Sequence, residues 1–439
     1  MIVMKFGGTS VGNAERIRNA CNMIKSNLKR KPVVVVSAVT KITDALIRLA
    51  NEPANGKGQD VLENIKNAHC KIIKELNLED SLLDETFMEL SELVKNTKSA
   101  RSLDAKTLDH FQSFGEQMSS IIVSSQLNKI GVKSKAFNSW ELGFFTDSEF
   151  GNAEPLEDAS SNLKNKIKKL NIVPVITGFI GKTEHGEITT LGRGGSDYSA
   201  AIIGAAIDAE EIQIWTDVDG MMSTDPKIVP DAKTIPQVSF AEASELSYFG
   251  ARVLHPKTIL PAMRKNIPVR VLNSFNPKNK GTVILNKAVK SRETVKAIAC
   301  KNNATLVYID STRMLGAYGF LAKIFNIFEK YRKSVDVIST SEVSVSLTID
   351  NDKDLDGIAA ELKLVADVDI TKNKSIICVV GEGMKHITGI SGRIFMAMGR
   401  NNINIEMISQ GASEINVSFI VDGKDAGKAV QALHKEYFG

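Results

Sequence analysis

Hydrophobic and polar residues first fall into blocks that alternate in period. Residues 2–6 form a short apolar run ending at Gly7-Gly8, and a helical spacing begins near Asn13. After Lys31-Pro32 come four consecutive valines, 33–36, the signature of a strand buried on both faces. From Asp60 to about Asn128 the spacing is helical, interrupted by polar turns. Strand-like runs return at 172–177 and 212–216, with a helical stretch at 199–206 between them. Strands alternating with helices predict a parallel or mixed sheet between helical layers.

Beyond residue 272 the pattern changes. Residues 273–281 read as loop, and 286–294 are polar enough for a hinge. The chain then repeats itself at a spacing of about 70 residues: 305–310 match 375–380, Lys323-Ile324-Phe325 matches Arg393-Ile394-Phe395, and 335–338 match 405–408. After a two-residue insertion, 342–350 match 414–422. The apolar helix face recurs as well, with Phe320, Ile324, Phe325 and Phe328 answered by Ile390, Ile394, Phe395 and Met398. Each repeat reads as a ferredoxin-like βαββαβ unit. A strand at 295–300 precedes the first repeat as 368–370 precedes the second, and the second ends on a helix, 425–437, with no strand after it. The early strand is therefore expected to pair across, interlocking the two units.

At 439 residues the chain has room for two to four domains. Its 55 basic and 51 acidic residues are too balanced to be a footprint for nucleic acid. The four cysteines, Cys21, Cys70, Cys300 and Cys378, form no CxxC pair, so buried free thiols are expected rather than zinc or disulfides. Residues 1–6 show no secretory pattern, and no apolar run approaches the ~18 residues of a membrane span. A cytoplasmic enzyme without membrane contact is the expectation.

Four constellations carry candidate chemistry. Lys5-Phe6-Gly7-Gly8-Thr9-Ser10 is a strand running into a glycine pair and a helix, where backbone N–H groups can receive phosphate and Lys5 would add a mobile cation. A turn needing glycine only for positive φ is the bland alternative, and the Walker A pattern is absent. Thr190-Leu191-Gly192-Arg193-Gly194-Gly195-Ser196-Asp197 puts a guanidinium, a hydroxyl and a carboxylate at a helix start. There Arg193 can clamp a carboxylate, while Asp197 could merely cap the helix. Trp215-Thr216-Asp217-Val218-Asp219-Gly220, with Asp225-Pro226-Lys227 after it, lies at the carboxyl end of a strand, where open α/β sheets bind ligands, although Asp-Gly and Asp-Pro are ordinary turns too. Phe114-Gly115-Glu116 sets a carboxylate in an apolar helix, facing a cavity, a partner or solvent. The segment 37–43, after the valine strand, is a hydroxyl-bearing strand-end loop.

In this order and spacing, segments 5–10, 37–43, 114–116, 192–197 and 215–220, together with Val253-Leu254-His255-Pro256, resemble the aspartokinases of the amino-acid kinase superfamily. The 70-residue repeat resembles tandem ACT domains. The resemblance covers essentially the whole chain and looks most like the monofunctional, lysine-sensitive type, with no homoserine dehydrogenase attached. It implies a three-layer αβα kinase domain over 1–285, then ACT domains over 295–365 and 366–439. It also implies ATP with Mg²⁺, 4-phospho-L-aspartate as product, and a homodimer or homotetramer built through the ACT domains.

By that resemblance Lys5, Gly7, Gly8, Ser10, Thr216, Asp217, Lys227 and Arg252 would serve the nucleotide. Ser37, Ala38, Thr43, Glu116, Phe179, Arg193, Gly194, Ser196 and Asp197 would serve L-aspartate, with Lys5 and Asp197 catalytic. The ATP phosphates would hold Mg²⁺, with no direct protein ligand. Met314, Phe320, Leu321, Val335, Asp336, Ser341 and Glu342 would receive an amino-acid effector, lysine above others, since Asp336 and Glu342 suit a second ammonium. Departures are Met222, where many relatives carry Tyr, Arg252, where many carry Lys, and Gly316-Ala317-Tyr318. The competing readings are a sibling kinase acting on another carboxylate and a non-catalytic amino-acid sensor.

Overall fold

A computed structural model describes every residue except 53–55, 98–102, 251–253, 287–293, 316–317 and 351. Most of the expected hinge at 286–294 therefore lies outside the described residues. The chain forms two compact units. The first comprises Met1–Met221, Pro236–Phe240 and Val253–Lys287, and the second Met222–Ile235, Ala241–Arg252 and Ala288–Gly439. The boundary in space is thus not a single point in sequence, because two segments ahead of residue 285 pack with the second unit.

The first unit is built on ten strands: β1 (Ile2–Phe6), β2 (Pro32–Val36), β3 (Ser134–Phe137), β4 (Val173–Thr177), β5 (Ile180–Lys182), β6 (Ile188–Thr190), β7 (Glu211–Thr216), β8 (Gln237–Ser239), β9 (Val269–Asn273) and β10 (Thr282–Leu285). Eight of them make one sheet in the order β3-β4-β2-β1-β7-β9-β10-β8, parallel except where β10 opposes β9. β5 and β6 form a separate hairpin. β1, β2 and β4 are buried at every residue, so both faces are covered by helices. The two-residue period divides β1: Ile2, Met4 and Phe6 join the core made with helices Ala14–Ser26, Ile42–Asn51, Gly56–Leu76, Asp84–Thr97 and Ala105–Lys129. Val3 points the other way, to helix Gly195–Ile207, where a Cβ on Gly204 would stand 2.5 Å from the Ile212 side chain and 3.6 Å from that of Val3. Only glycine lets that helix approach the sheet so closely. The result is a three-layer αβα fold.

The second unit carries six strands, β11 (Ala297–Asp310), β12 (Val335–Thr340), β13 (Ser344–Ile349), β14 (Asp367–Val380), β15 (Met407–Ser409) and β16 (Asn416–Asp422), in the order β12-β13-β11-β14-β16-β15. β11 and β14 are antiparallel along their length, with 297–301 beside 376–380 and 306–310 beside 367–371. Each therefore serves both repeats. Val295 and Ile298 lie in the core of the second repeat, while Val368 and Ile370 pack on the core of the first. The separate strands expected at 295–300 and 305–310 are one strand, its register shifting past Lys301 at a kink where Asn303 adopts φ +61°. The cysteine expectation needs correction: all four are free and Cys21 and Cys378 are buried, but Cys300 is only partly covered and Cys70 is exposed. Among the described residues no helix is long and apolar enough to cross a membrane.

Candidate active site

β1 delivers Lys5 to the carboxyl edge of the sheet, and the chain then turns through Gly7-Gly8 into a short helical turn, Gly8–Val11. The turn is tied to the ends of β7 and β9. The Gly7 N–H donates to the Trp215 carbonyl at 3.0 Å, and the Ser10 hydroxyl lies 3.1 Å from the same carbonyl and 2.8 Å from Ser274 Oγ. Neither glycine has positive φ, against the turn explanation. Gly8 is needed for proximity, since a Cβ there would lie 2.8 Å from the Ala38 carbonyl oxygen. At Gly7 a Cβ would come within 3.7 Å of Lys5 Nζ. A turn that starts on glycine, without a side-chain cap, leaves its first N–H groups available to an anion.

Lys5 is held rather than mobile. Its ammonium pairs with Asp197 at 2.5 Å, and the two side chains are 10% and 15% exposed. Asp197 lies in the first turn of helix Gly195–Ile207, but Gly194 occupies the N-cap, so the carboxylate serves Lys5 and not the cap. Thr216 and Asp217 end β7, with the Thr216 hydroxyl 3.2 Å from Asp217 Oδ1. The turn explanation holds for Asp219, which accepts from Asn273 Nδ2 at 2.8 Å. Lys227 falls in the second unit, exposed, its N–H bound to Asp225 in a turn. Arg252 lies outside the described residues.

Glu116 is the most unusual group in the first unit. It sits midway along the 25-residue helix Ala105–Lys129, only 3% exposed, so a solvated helix face is excluded. Its Oε1 accepts from the Ala38 N–H at 3.0 Å, and its Oε2 is buried without a hydrogen-bond partner. Desolvation pushes its pKa from the ordinary 4.5 up to about 8, against the pull of the Ala38 N–H and the nearby Lys5 ammonium. The preceding Gly115 makes the approach possible, because a Cβ there would stand 2.6 Å from Ala38 Cβ. Gly115→Ala gains about 1 kcal/mol of helix propensity but incurs about 1–3 kcal/mol of overpacking. The variant is expected to be less stable in urea and to bind the acceptor substrate more weakly, as Ala38 is forced off Glu116. An unchanged or raised denaturation midpoint would refute this.

Around the same edge, the Ser37 N–H bonds to the Phe6 carbonyl at 3.1 Å, and Thr40 Oγ1 bridges to the Gly8 carbonyl at 2.8 Å. Thr43 lies in the first turn of helix Ile42–Asn51, after Lys41 at φ +67°. Phe179 is held at φ +66°, a costly conformation for a bulky residue, by its N–H to Ser199 Oγ at 3.0 Å. Its ring closes on Gly195, and Ser196 packs on Gly178. Arg193 stands exposed between Gly192 and Gly194, both left-handed, and forms no ion pair among the described residues. His255 comes within reach: a Cβ on Gly194 would lie 3.4 Å from the His255 Cβ, and burial first, then the Arg193 charge, hold the imidazole pKa below its usual value.

Two braces went unnoticed in the sequence. The Asp109 carboxylate receives the Gly151 and Thr190 N–H groups and the Thr190 hydroxyl, each at 2.8 Å, anchoring the start of the Arg193 loop. Its position seven residues before Glu116 on one helix was the available signal. Glu154 accepts from the Tyr198 hydroxyl at 2.6 Å and pairs with Lys257, with no local pattern to announce it.

In the second unit an open cavity of about 540 Å³ is lined by Met314, Leu315, Gly319, Phe320, Leu321, Ser341 and Glu342. It gathers five of the seven expected effector residues. The other two lie outside that lining: Val335 packs on the core of the first repeat, and Asp336 pairs with Lys301 at 2.9 Å and accepts from the Tyr248 hydroxyl at 2.8 Å.

Residues 1–273 match the amino acid kinase family, and 377–437 match an ACT domain. Aspartokinase 1, chloroplastic, of Arabidopsis thaliana is 42% identical over 456 residues, covering 99% of this chain and 80% of its own length. The lysine-sensitive aspartokinase 3 of Escherichia coli K12 is 36% identical over 450 residues, covering 100% and 99%. A crystal structure of E. coli aspartokinase III in complex with aspartate and ADP (R-state) matches with a TM-score of 0.85 at 34% identity, both chains fully covered. The complex with lysine and aspartate (T-state) matches at 0.83, with the same identity and coverage.

Proposed function

Because this chain belongs to the aspartokinases of the amino acid kinase family, we propose a division of labour among its residues in phosphorylating the side-chain carboxylate of L-aspartate. The reaction opens the aspartate-derived amino-acid pathway: a carboxylate oxygen attacks the γ-phosphorus of ATP, the bond to the β,γ-bridging oxygen breaks, and ADP leaves with that electron pair. The attacking carboxylate has a reference pKa of about 3.9, so it arrives ionised and needs no general base. The difficulty is to bring two anions together and offset the charge on the transferring phosphoryl group.

Lys5 carries that task, aimed by Asp197. Glu116 receives the substrate ammonium on the oxygen that lacks a partner, and Arg193 clamps the α-carboxylate. Ser37, Ala38, Thr43, Phe179, Gly194 and Ser196 shape the pocket. Gly7, Gly8, Ser10, Thr216 and Asp217 receive the nucleotide. The observation that carries this reading is the 2.5 Å Lys5–Asp197 pair within electrostatic reach of a buried, half-satisfied Glu116. A free amino acid is the ligand that supplies a cation there, which favours aspartate over an N-acylated substrate. The uncapped glycine turn fits a triphosphate, and Mg²⁺ carried by that triphosphate would offset its negative charge.

The lysine-sensitive relative supports lysine as the ligand of the 540 Å³ cavity, where Glu342 supplies an anion. Exposed Leu315, Tyr318 and Leu321 at or near that cavity support a homodimer or homotetramer through the ACT units. One assay tests the set: hydroxylamine trapping of the acyl phosphate with aspartate, glutamate and acetylglutamate, with and without lysine or threonine. Trapped product with aspartate alone, suppressed by lysine, is expected. Indifference to lysine overturns the effector, and equal turnover of acetylglutamate overturns the Glu116 role.

A further inference from the structure

Three parallel strands of the first unit end side by side where the glycine turn begins. Phe6 of β1 stands beside Trp215 of β7, and Thr216 of β7 stands beside Asn273 of β9. The first residue past β9 is Ser274, only 5% exposed. Its N–H and its hydroxyl both donate to the Thr216 carbonyl, at 2.8 and 3.0 Å. The same hydroxyl oxygen lies 2.8 Å from that of buried Ser10, in the glycine turn. A serine hydroxyl has one proton and two lone pairs, so Ser274 can donate to Thr216 while accepting from Ser10. One side chain thereby joins the glycine turn to the end of β7.

The residues flanking Ser274 repeat this double attachment. Toward β7, Asn273 Nδ2 donates to Asp219 Oδ1 at 2.8 Å, and Asn276 Nδ2 reaches the same oxygen at 3.3 Å. The Asn273 Oδ1 accepts the Phe275 N–H at 2.8 Å, which fixes the bend between them. Toward the glycine turn, the Arg16 guanidinium lies 4.6 Å from the centre of the Phe275 ring and donates to the Thr9 carbonyl at 3.1 Å. Segment 273–276 therefore grips Thr216 and Asp219 on one side and Thr9 and Ser10 on the other.

We propose that Ser274, seconded by Phe275, is a positioning residue for the nucleotide. Its donors are committed to the protein, so it acts through Ser10 and Thr216 and sets the gap between the glycine turn and the Thr216-Asp217 strand end. A gap fixed before the nucleotide arrives spares binding the cost of ordering two loops. The proposal rests on the nucleotide reading above.

The test uses the full-length enzyme and Ser274→Ala, with initial rates measured over ATP at saturating aspartate and over aspartate at saturating ATP. KM for ATP is expected to rise about five- to tenfold, as for one lost hydrogen bond, with KM for aspartate within about twofold of wild type. An unchanged KM for ATP overturns the proposal. Ser134→Ala is the stability control: that hydroxyl donates to the Ser124 carbonyl at 2.8 Å, at the opposite, amino end of the sheet on β3. A rise in KM for ATP there as large as in Ser274→Ala also overturns the proposal, by showing general loosening. Should Ser274→Ala fail to fold, Phe275→Leu replaces it, since that ring is 47% exposed. There a rise of about two- to threefold is expected, and no rise overturns the proposal. Asp217→Ala tests the nucleotide reading by itself. If KM for ATP stays at the wild-type value in that variant, the reading fails and the role of Ser274 is withdrawn with it; if it rises there but not in Ser274→Ala, only the role of Ser274 fails.

Discussion

Lys5→Met is expected to lower kcat about 10²–10³-fold while leaving KM for aspartate within a few-fold, since the ammonium acts on charge that develops only in the transition state. The substitution also strands Asp197, which is 15% exposed and loses its partner at 2.5 Å. Breaking a buried pair from one side costs about 3–5 kcal/mol, so lost activity could be confused with lost fold. The double variant Lys5→Met/Asp197→Asn separates the two. Neutralising both members should restore most of the stability, because no uncompensated charge remains, yet restore none of the rate. Steady-state kinetics beside urea denaturation of the three proteins decides the matter. A variant whose KM rises with kcat intact would place Lys5 in ground-state binding instead.

The second large effect is at Glu116, where function and stability are expected to move in opposite directions. Glu116→Gln keeps the shape and the Ala38 hydrogen bond but removes the charge that meets the substrate ammonium. KM for aspartate should rise about 10–100-fold, the range for a lost charge-assisted hydrogen bond. Stability responds differently because the folded pKa, about 8, lies above the ordinary 4.5. Between those values the folded chain holds a proton that the unfolded chain releases. The contribution is full below the unfolded pKa and is lost as pH rises through the folded one. Wild type should therefore lose stability relative to Glu116→Gln between about pH 5 and 8.5, by on the order of a few kcal/mol at the upper end. The same group predicts that wild-type KM for aspartate falls as pH rises toward 8, and that this trend vanishes in the variant. Parallel stability curves for the two proteins across that range would show that Glu116 is not buried and protonated in the free enzyme.

Much of the site was legible before any coordinates, because its parts are local. Gly7-Gly8 after an apolar run, the octapeptide around Arg193 and the Thr216-Asp217 strand end are each dense in residues that a plain turn does not need. What escaped notice were long-range partners. Asp109 holds Thr190 across 81 residues, Ser274 meets Ser10 across 264, and Tyr248 meets Asp336 across 88. Asp109 is marked only by its place seven residues before Glu116 on one helix, and the other two pairs leave no trace in local spacing.

The chain by itself determined the alternation of strands and helices, the repeat, and which residue types stand at strand ends, because hydrophobic period and glycine placement act within a few residues. Only the tertiary structure decided which neighbours those residues meet. Burial raised the pKa of Glu116, Asp197 turned from capping its helix to holding Lys5, and two segments ahead of residue 285 joined the second unit. The reason is physical: desolvation and ion pairing depend on distance in space, and residues far apart in sequence come within reach only after the sheet has ordered its strands.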